Sequence, residues 1–144
     1  MQTQEREKDP TCKERVKESC KSRFNAIMTL YKADCEGIEY VEDLGTIHEY
    51  GLSFDYVAPG TYTGQRVGYF RYQISWGGPS EEFRIWTNPD LSPYKIQFWF
   101  LDWSDGASLT LTGKRFDQFA DFFTSYFVAS ETARVVLEES TKDM

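Results

Sequence analysis

The sequence predicts an α+β fold, in which an antiparallel β-meander of about four to five strands packs against an N-terminal and a C-terminal helix. Near both ends of the chain, apolar residues recur in steps of three and four, as on one face of an amphipathic helix. Between residues 52 and 111 the apolar period changes to two, and clusters of Gly, Pro, Asn and Ser interrupt it, as in strands joined by turns. The length of 144 residues fits a single domain, 1–144.

Three helical regions are predicted around this sheet, which itself spans about residues 52–111. The N-terminal helix should cover about residues 10–36, with Asp9 as its cap, Pro10 in its first position and Gly37 at its end. A weaker repeat of apolar positions predicts an acidic helix over about residues 38–50. The C-terminal helices should cover about residues 113–139, begin at Thr112 and present a stripe rich in phenylalanine: Phe116, Phe119, Ala120, Phe123 and Phe127.

Alternation along the strands gives the sheet two unlike faces. The apolar face must be covered by helices, and it comprises Phe70, Tyr72, Ile74, Trp76, Phe83, Ile85, Ile96, Phe98 and Phe100. The opposite, mixed face comprises Tyr69, Arg71, Gln73, Arg84, Trp86, Gln97, Trp99 and Trp103. Because Trp, Tyr and Arg dominate binding hot spots, the mixed face is the leading candidate for a partner surface. The alternatives are that a further helix covers this face, or that Arg71 and Arg84 stack on neighbouring rings for stability.

The distribution of charge along the chain suggests which kind of partner the mixed face binds. The formal net charge is −7, and residues 38–65 contain no Lys or Arg but five acids: Glu39, Glu42, Asp43, Glu49 and Asp55. Such a segment repels phosphate backbones and attracts basic protein surfaces, although acidity can also serve solubility alone. The predicted partner is therefore a protein with a basic surface rather than nucleic acid. The predicted contact residues are these five acids together with Tyr69, Arg71, Arg84, Trp86, Trp99 and Trp103.

No catalytic, cofactor-binding or metal-binding residue is predicted. Cys12, Cys20 and Cys35 fall in one helical segment, too far apart for disulfides or for the close pairs of a zinc site, and are interpreted as small buried hydrophobic residues. His48 is the single histidine, so an enzyme with a Ser-His-Asp or Cys-His arrangement would depend on it. A lone histidine in a helical pattern is more often structural or solvated.

The sequence also predicts a cytoplasmic protein. The N-terminus is polar and charged, without the apolar segment of a secretory signal. No apolar run reaches the roughly 18–20 residues that a membrane span requires.

Two blocks carry a resemblance to a known group. They are FDYVAPGTYTGQRVGYFRYQISWGGPSEEFRIW, residues 54–86, and FWFLDWSDGASLTLTG, residues 98–113. The chain resembles small accessory proteins carried by plasmids and other mobile elements, over about residues 38–127. By association, the resemblance implies a role in element maintenance or in blocking host defence, such as inhibition of CRISPR or restriction systems.

The leading hypothesis is a non-enzymatic, acidic inhibitor that masks a basic, nucleic-acid-binding surface of its target. A toxin-neutralising immunity protein would use the same physics on a different target. A single-strand nucleic-acid binder is a further alternative, in which bases stack on Tyr69, Trp86 and Trp99. The remaining alternative is a small hydrolase that uses His48.

Overall fold

A computed structural model describes residues 11–103 and 105–142, and within these ranges five antiparallel strands form one sheet in chain order. The strands are β1 (Ser53–Val57), β2 (Tyr69–Ser75), β3 (Ser80–Thr87), β4 (Pro93–Asp102) and β5 (Asp105–Thr110). The helices are α1 (Cys12–Cys35), α2 (Ile47–Tyr50), α3 (Gly113–Phe122), a π-helical turn (Phe123–Val128) and α4 (Thr132–Thr141). The predicted meander and the α+β class are therefore confirmed. Across the described ranges, no helix is both long and apolar enough to cross a membrane.

Helix α1 begins with a capping box, because the Thr11 side chain accepts from the Glu14 amide while the Glu14 carboxylate accepts from the Thr11 amide. The cap predicted at Asp9-Pro10 lies outside the described residues. Cys12 and Cys20 are buried as predicted, but the prediction for Cys35 is wrong, since this thiol is exposed. Cys35 is the last residue of α1 and follows the buried Leu30 by five positions. This spacing is a rotation of about 140° around the helix axis, so the Cys35 side chain points away from the sheet.

The acidic helix predicted over residues 38–50 is wrong, because only Ile47–Tyr50 is helical. Residues 38–46 form turns closed by a single bridge between Val41 and Gly45. Asp43 and Gly45 have φ values of 73° and 90°, in the left-handed region that a right-handed helix cannot contain. The apolar spacing of this segment is real, but the backbone conformation at these two residues prevents a helix. Thr46 then caps the short α2.

Phenylalanine rings join the C-terminal helices to the apolar face of the sheet. The ring of Phe119 stacks on Phe83 with centroids 4.5 Å apart, and Phe127 stacks on Phe54 at 3.8 Å. The π-helical turn continues directly from α3, and the Phe122 and Phe123 rings beside this junction are both fully buried. The predicted phenylalanine stripe thus covers the apolar face, together with α1, which contacts β4 and β5.

A desolvated ion pair also ties α1 to the sheet. Arg23 of α1 donates to Glu81 of β3 through Nε and Nη2, at 3.1 and 2.6 Å, and Ser75 donates to the same carboxylate oxygen at 2.8 Å. Burial alone would raise the pKa of Glu81, but the hydrogen bonds from Arg23 and Ser75 outweigh it and hold this pKa below its usual value of 4.5. The helix layer is therefore joined to the sheet by charge as well as by apolar packing.

Candidate binding face

Strand register places most of the mixed face in three rows that run across the sheet. Paired positions in the antiparallel ladder place side chains of the same parity side by side. The middle row is polar: Asp55, Arg71, Arg84, Gln97 and Thr110. One flanking row comprises Ser53, Gln73, Glu82, Trp99 and Ser108, and the other comprises Val57, Tyr69, Trp86 and Lys95. The sequence thus grouped these side chains correctly, but its assignment of Trp103 to the same face is wrong, because β4 ends at Asp102.

The loop between β1 and β2 borders a groove on this face, with a volume of about 660 Å³. The helices pack on the opposite face, so the alternative in which a helix covers the mixed face does not apply within the described residues. The groove is lined by sheet residues and by loop residues: Tyr62, Gly64, Gln65, Arg66, Val67, Tyr69, Arg71, Trp76, Glu82, Arg84, Trp86 and Leu101. Four of these twelve residues carry aromatic rings and five others carry polar or charged side chains, and a groove of this volume with such a lining can hold a ligand or an anchor residue of a partner.

Arg71 holds the loop in place. Its guanidinium donates to both carboxylate oxygens of Asp55, at 3.0 and 2.8 Å, and to the Tyr62 hydroxyl at 3.1 Å. The hydrogen bonds to Asp55 are the main reason that the pKa of Arg71 is raised above its ordinary value. A two-pronged pair of this kind fixes orientation as well as charge. One wall of the groove is therefore positioned by the strands themselves.

Arg84 occupies the centre of the groove floor. Its Nε donates to the Glu82 carboxylate at 2.6 Å, and its guanidinium lies 4.1 Å from the centroid of the Trp99 ring and 5.1 Å from that of Tyr69. Glu82 is only 2% exposed, so this ion pair is desolvated. Arg84 therefore stacks on neighbouring rings, as one of the alternatives predicted. It does so although no helix covers this face within the described residues.

Gln73 and Trp76 add two features that the sequence did not reveal. Gln73 is 8% exposed, and its Nε2 has no hydrogen-bond partner among the described residues. The prediction that Trp76 faces the helices is wrong: the register shifts between Gln73 and Ser75, β2 ends there, and Trp76 is 74% exposed at the groove. An irregularity of one residue reverses the face that the next side chain occupies.

The remaining tryptophans differ in position. Trp86 lines the groove, with the Tyr69 ring 5.2 Å away and the Lys95 ammonium 4.6 Å from its centroid. Trp103 is 97% exposed beyond the end of β4 and does not line the groove.

The structure does not bring the predicted acids together with the mixed face. Glu39, Glu42, Asp43 and Glu49 are exposed on the loop and short helix that follow α1. This segment is joined to the helical layer, where the Ile38 amide donates to a carbonyl of α1 and α2 contacts α1. Only Asp55 lies on the mixed face, where it pairs with Arg71. The predicted contact set is therefore two surfaces rather than one.

His48 lies on the helical side, in a small polar cluster. Its Nδ1 shares a hydrogen bond of 2.8 Å with the hydroxyl of Tyr126 in the π-helical turn, and its Nε2 is 3.7 Å from an Asp34 oxygen. Within the described ranges, no serine, threonine or cysteine is hydrogen-bonded to the imidazole. Among the same residues, no group of three His, Cys, Asp or Glu side chains is arranged to hold a metal ion.

Eight residues that line the groove were not predicted as contact residues: Tyr62, Gly64, Gln65, Arg66, Val67, Trp76, Glu82 and Leu101. Period-two alternation does place Glu82 beside Arg84, and this signal was available in the sequence. The five loop residues carry no such pattern, because their position depends on the contact between Tyr62 and Arg71. No protein-family model, curated protein or solved structure matches this chain. The class that the fold defines is an α+β protein whose helices cover one face of a meander and leave a ring-lined groove on the other.

Proposed function

We propose that this protein is a non-enzymatic inhibitor that binds a target protein through the groove on the mixed face. The observation that carries the proposal is a sheet face free of helices, in which a groove of about 660 Å³ is lined by Trp, Tyr and Arg. These residue types bury a large area and still place polar groups, which is why they dominate protein interfaces. Exposed apolar side chains at the groove, Tyr62, Val67 and Trp76, supply surface that a partner would remove from water.

The resemblance to mobile-element proteins supports an anti-defence role in the cytoplasm, with a CRISPR or restriction complex as the target. In this proposal the acidic loop of residues 39–49 attracts a basic, nucleic-acid-binding surface of the complex at long range, while the groove supplies the desolvated anchor. An immunity protein against a toxin would use both surfaces in the same way. Identification of the captured target separates these two possibilities.

The groove is tested by matched aromatic variants. Trp76→Ala and Tyr62→Ala should reduce retention of the target identified with the unaltered protein, because both remove rings at the groove. Tyr94→Ala is the control, since Tyr94 is also an exposed tyrosine but lies neither in the groove nor on the acidic loop. Circular dichroism melts confirm folding of each variant. Full retention by both groove variants would contradict the proposal.

The acidic loop is tested by charge reversal at Glu39, Glu42 and Asp43. These side chains are exposed and have no ion pair among the described residues, so Glu39→Lys and Glu42→Lys should leave the melting temperature nearly unchanged. Asp43→Lys should lower it slightly, because Asp43 has a φ of 73°, in the left-handed region that Asp adopts more readily than Lys. Association with the target should slow and should depend less on salt, because a steering field is lost. Unchanged association across a salt series would refute the steering role and leave the groove in place.

Single-stranded nucleic acid is the second candidate partner, because Arg66 and Lys95 lie beside rings on the same face. A gel-shift with short oligonucleotides at low salt is the direct measurement. Clear binding that Trp86→Ala abolishes would favour this candidate over the protein target.

A further inference from the structure

We infer that the groove binds an extended, acidic segment of the partner protein, with one apolar side chain of that segment inserted among the groove rings. This inference rests on the proposed function and adds the chemistry of the segment. An acidic ligand is proposed although the whole chain is acidic, because the groove itself is not acidic.

The mixed face and its loop carry more cations than acids. The cations of the mixed face and its loop are Arg66, Arg71, Arg84 and Lys95, whereas its acids are Asp55 and Glu82. Both acids are already paired, Asp55 with Arg71 and Glu82 with Arg84. Arg66 and Lys95 have no ion-pair partner in the part of the chain that the structure describes. Carboxylates that flank an anchor residue would meet these two cations at the groove.

Arg84 can also bind the main chain of such a segment. Its Nε donates to Glu82, whereas its Nη donors have no partner within residues 11–103 and 105–142. A bound main chain offers carbonyl oxygens at every residue, which can accept from these donors.

Nucleic acid fits this groove less well. Arg84 covers one face of the Trp99 ring, and Lys95 lies over Trp86, so part of the ring surface that bases would use is already occupied. An apolar side chain needs only the remaining edges and methylene groups.

The test uses the tryptophan fluorescence of the whole protein and synthetic peptides. The first peptide contains one leucine flanked by glutamates, the second replaces the glutamates with lysines, and the third probe is oligothymidylate. We expect the acidic peptide to bind roughly tenfold more tightly than the basic peptide at low salt. Equal affinity, tighter binding of the basic peptide, or tighter binding of the oligonucleotide would overturn the inference.

Two variants link binding to the residues that argue for it. Lys95→Ala removes one of the two cations that have no ion-pair partner among the described residues, so acidic-peptide affinity should fall roughly threefold. Arg66→Ala should weaken the same peptide roughly threefold, whereas Lys21→Ala, an exposed cation of α1, should leave it unchanged. Undiminished peptide affinity in both groove variants overturns the inference.

The inference and the proposed function fail in different ways. If Trp76→Ala loses the target protein while Lys95→Ala and Arg66→Ala bind it normally, the groove binds a partner but not an acidic segment. If all three variants bind the target normally, both are wrong.

Discussion

Replacement of Arg84 by methionine should lower the free energy of unfolding by about 3 kcal/mol. The Glu82 side chain is 3% exposed and that of Arg84 is 18% exposed, so the variant leaves a carboxylate desolvated and unpaired. Breaking a buried pair costs about 3–5 kcal/mol, and the partial exposure of Arg84 favours the lower end. The methionine retains packing against Trp99 but loses the attraction between the cation and the ring.

Urea denaturation followed by far-ultraviolet circular dichroism measures this loss, since every tryptophan that could serve as a fluorescent probe lies on or near the mixed face or beyond the end of β4. Arg134→Met is the control, because its ion pair with Glu131 is 61% and 62% exposed and should contribute less than about 1 kcal/mol. The double variant with Glu82→Met should recover at least half of the lost stability, because no charge is then buried without a partner. A loss below about 1 kcal/mol for Arg84→Met, or a double variant no more stable than the single one, would refute the reasoning.

Three further variants test the packing of the sheet. Arg23→Met should lower stability by about 3 kcal/mol at pH 7, because it leaves Glu81 buried without its partner. The pKa of Glu81 is depressed in the folded protein, so the contribution of this pair is complete above pH 4.5 and is lost as the pH falls through the folded-state pKa; melts of the two proteins should converge in acid. Gly51→Ala should cost about 1–3 kcal/mol, because a Cβ there would overlap the buried Tyr72 ring, and an unchanged melting temperature would contradict the packing. Phe119→Ala should cost about 3–5 kcal/mol in urea, and a loss below about 1 kcal/mol would contradict its place in the core.

The sheet and its two faces were predictable because a strand presents successive side chains to opposite sides. This rule alone grouped Arg71, Arg84 and Trp86 before any contact was known. The same rule failed at Trp76, where a register shift after Gln73 changes the face of the next side chain. A bulge depends on how two strands are paired and leaves little trace in the spacing of apolar residues.

The errors on the acidic segment and the groove have different physical causes. Apolar spacing reports which residues need burial, but it does not report the left-handed conformations of Asp43 and Gly45. The groove depends on a loop whose position is determined by the hydrogen bond between Tyr62 and Arg71. That contact joins residues nine positions apart through tertiary structure, so no local pattern predicts it.

From the sequence, stacking of the arginines for stability and binding of a partner were alternative interpretations of the mixed face. In the structure the two interpretations are compatible. Arg71 and Arg84 each have a carboxylate partner in the free protein, so a bound segment covers paired charges and leaves no new charge without a partner. The ring contacts of Arg84 hold its guanidinium in one orientation before binding, which reduces the side-chain entropy that association would otherwise remove.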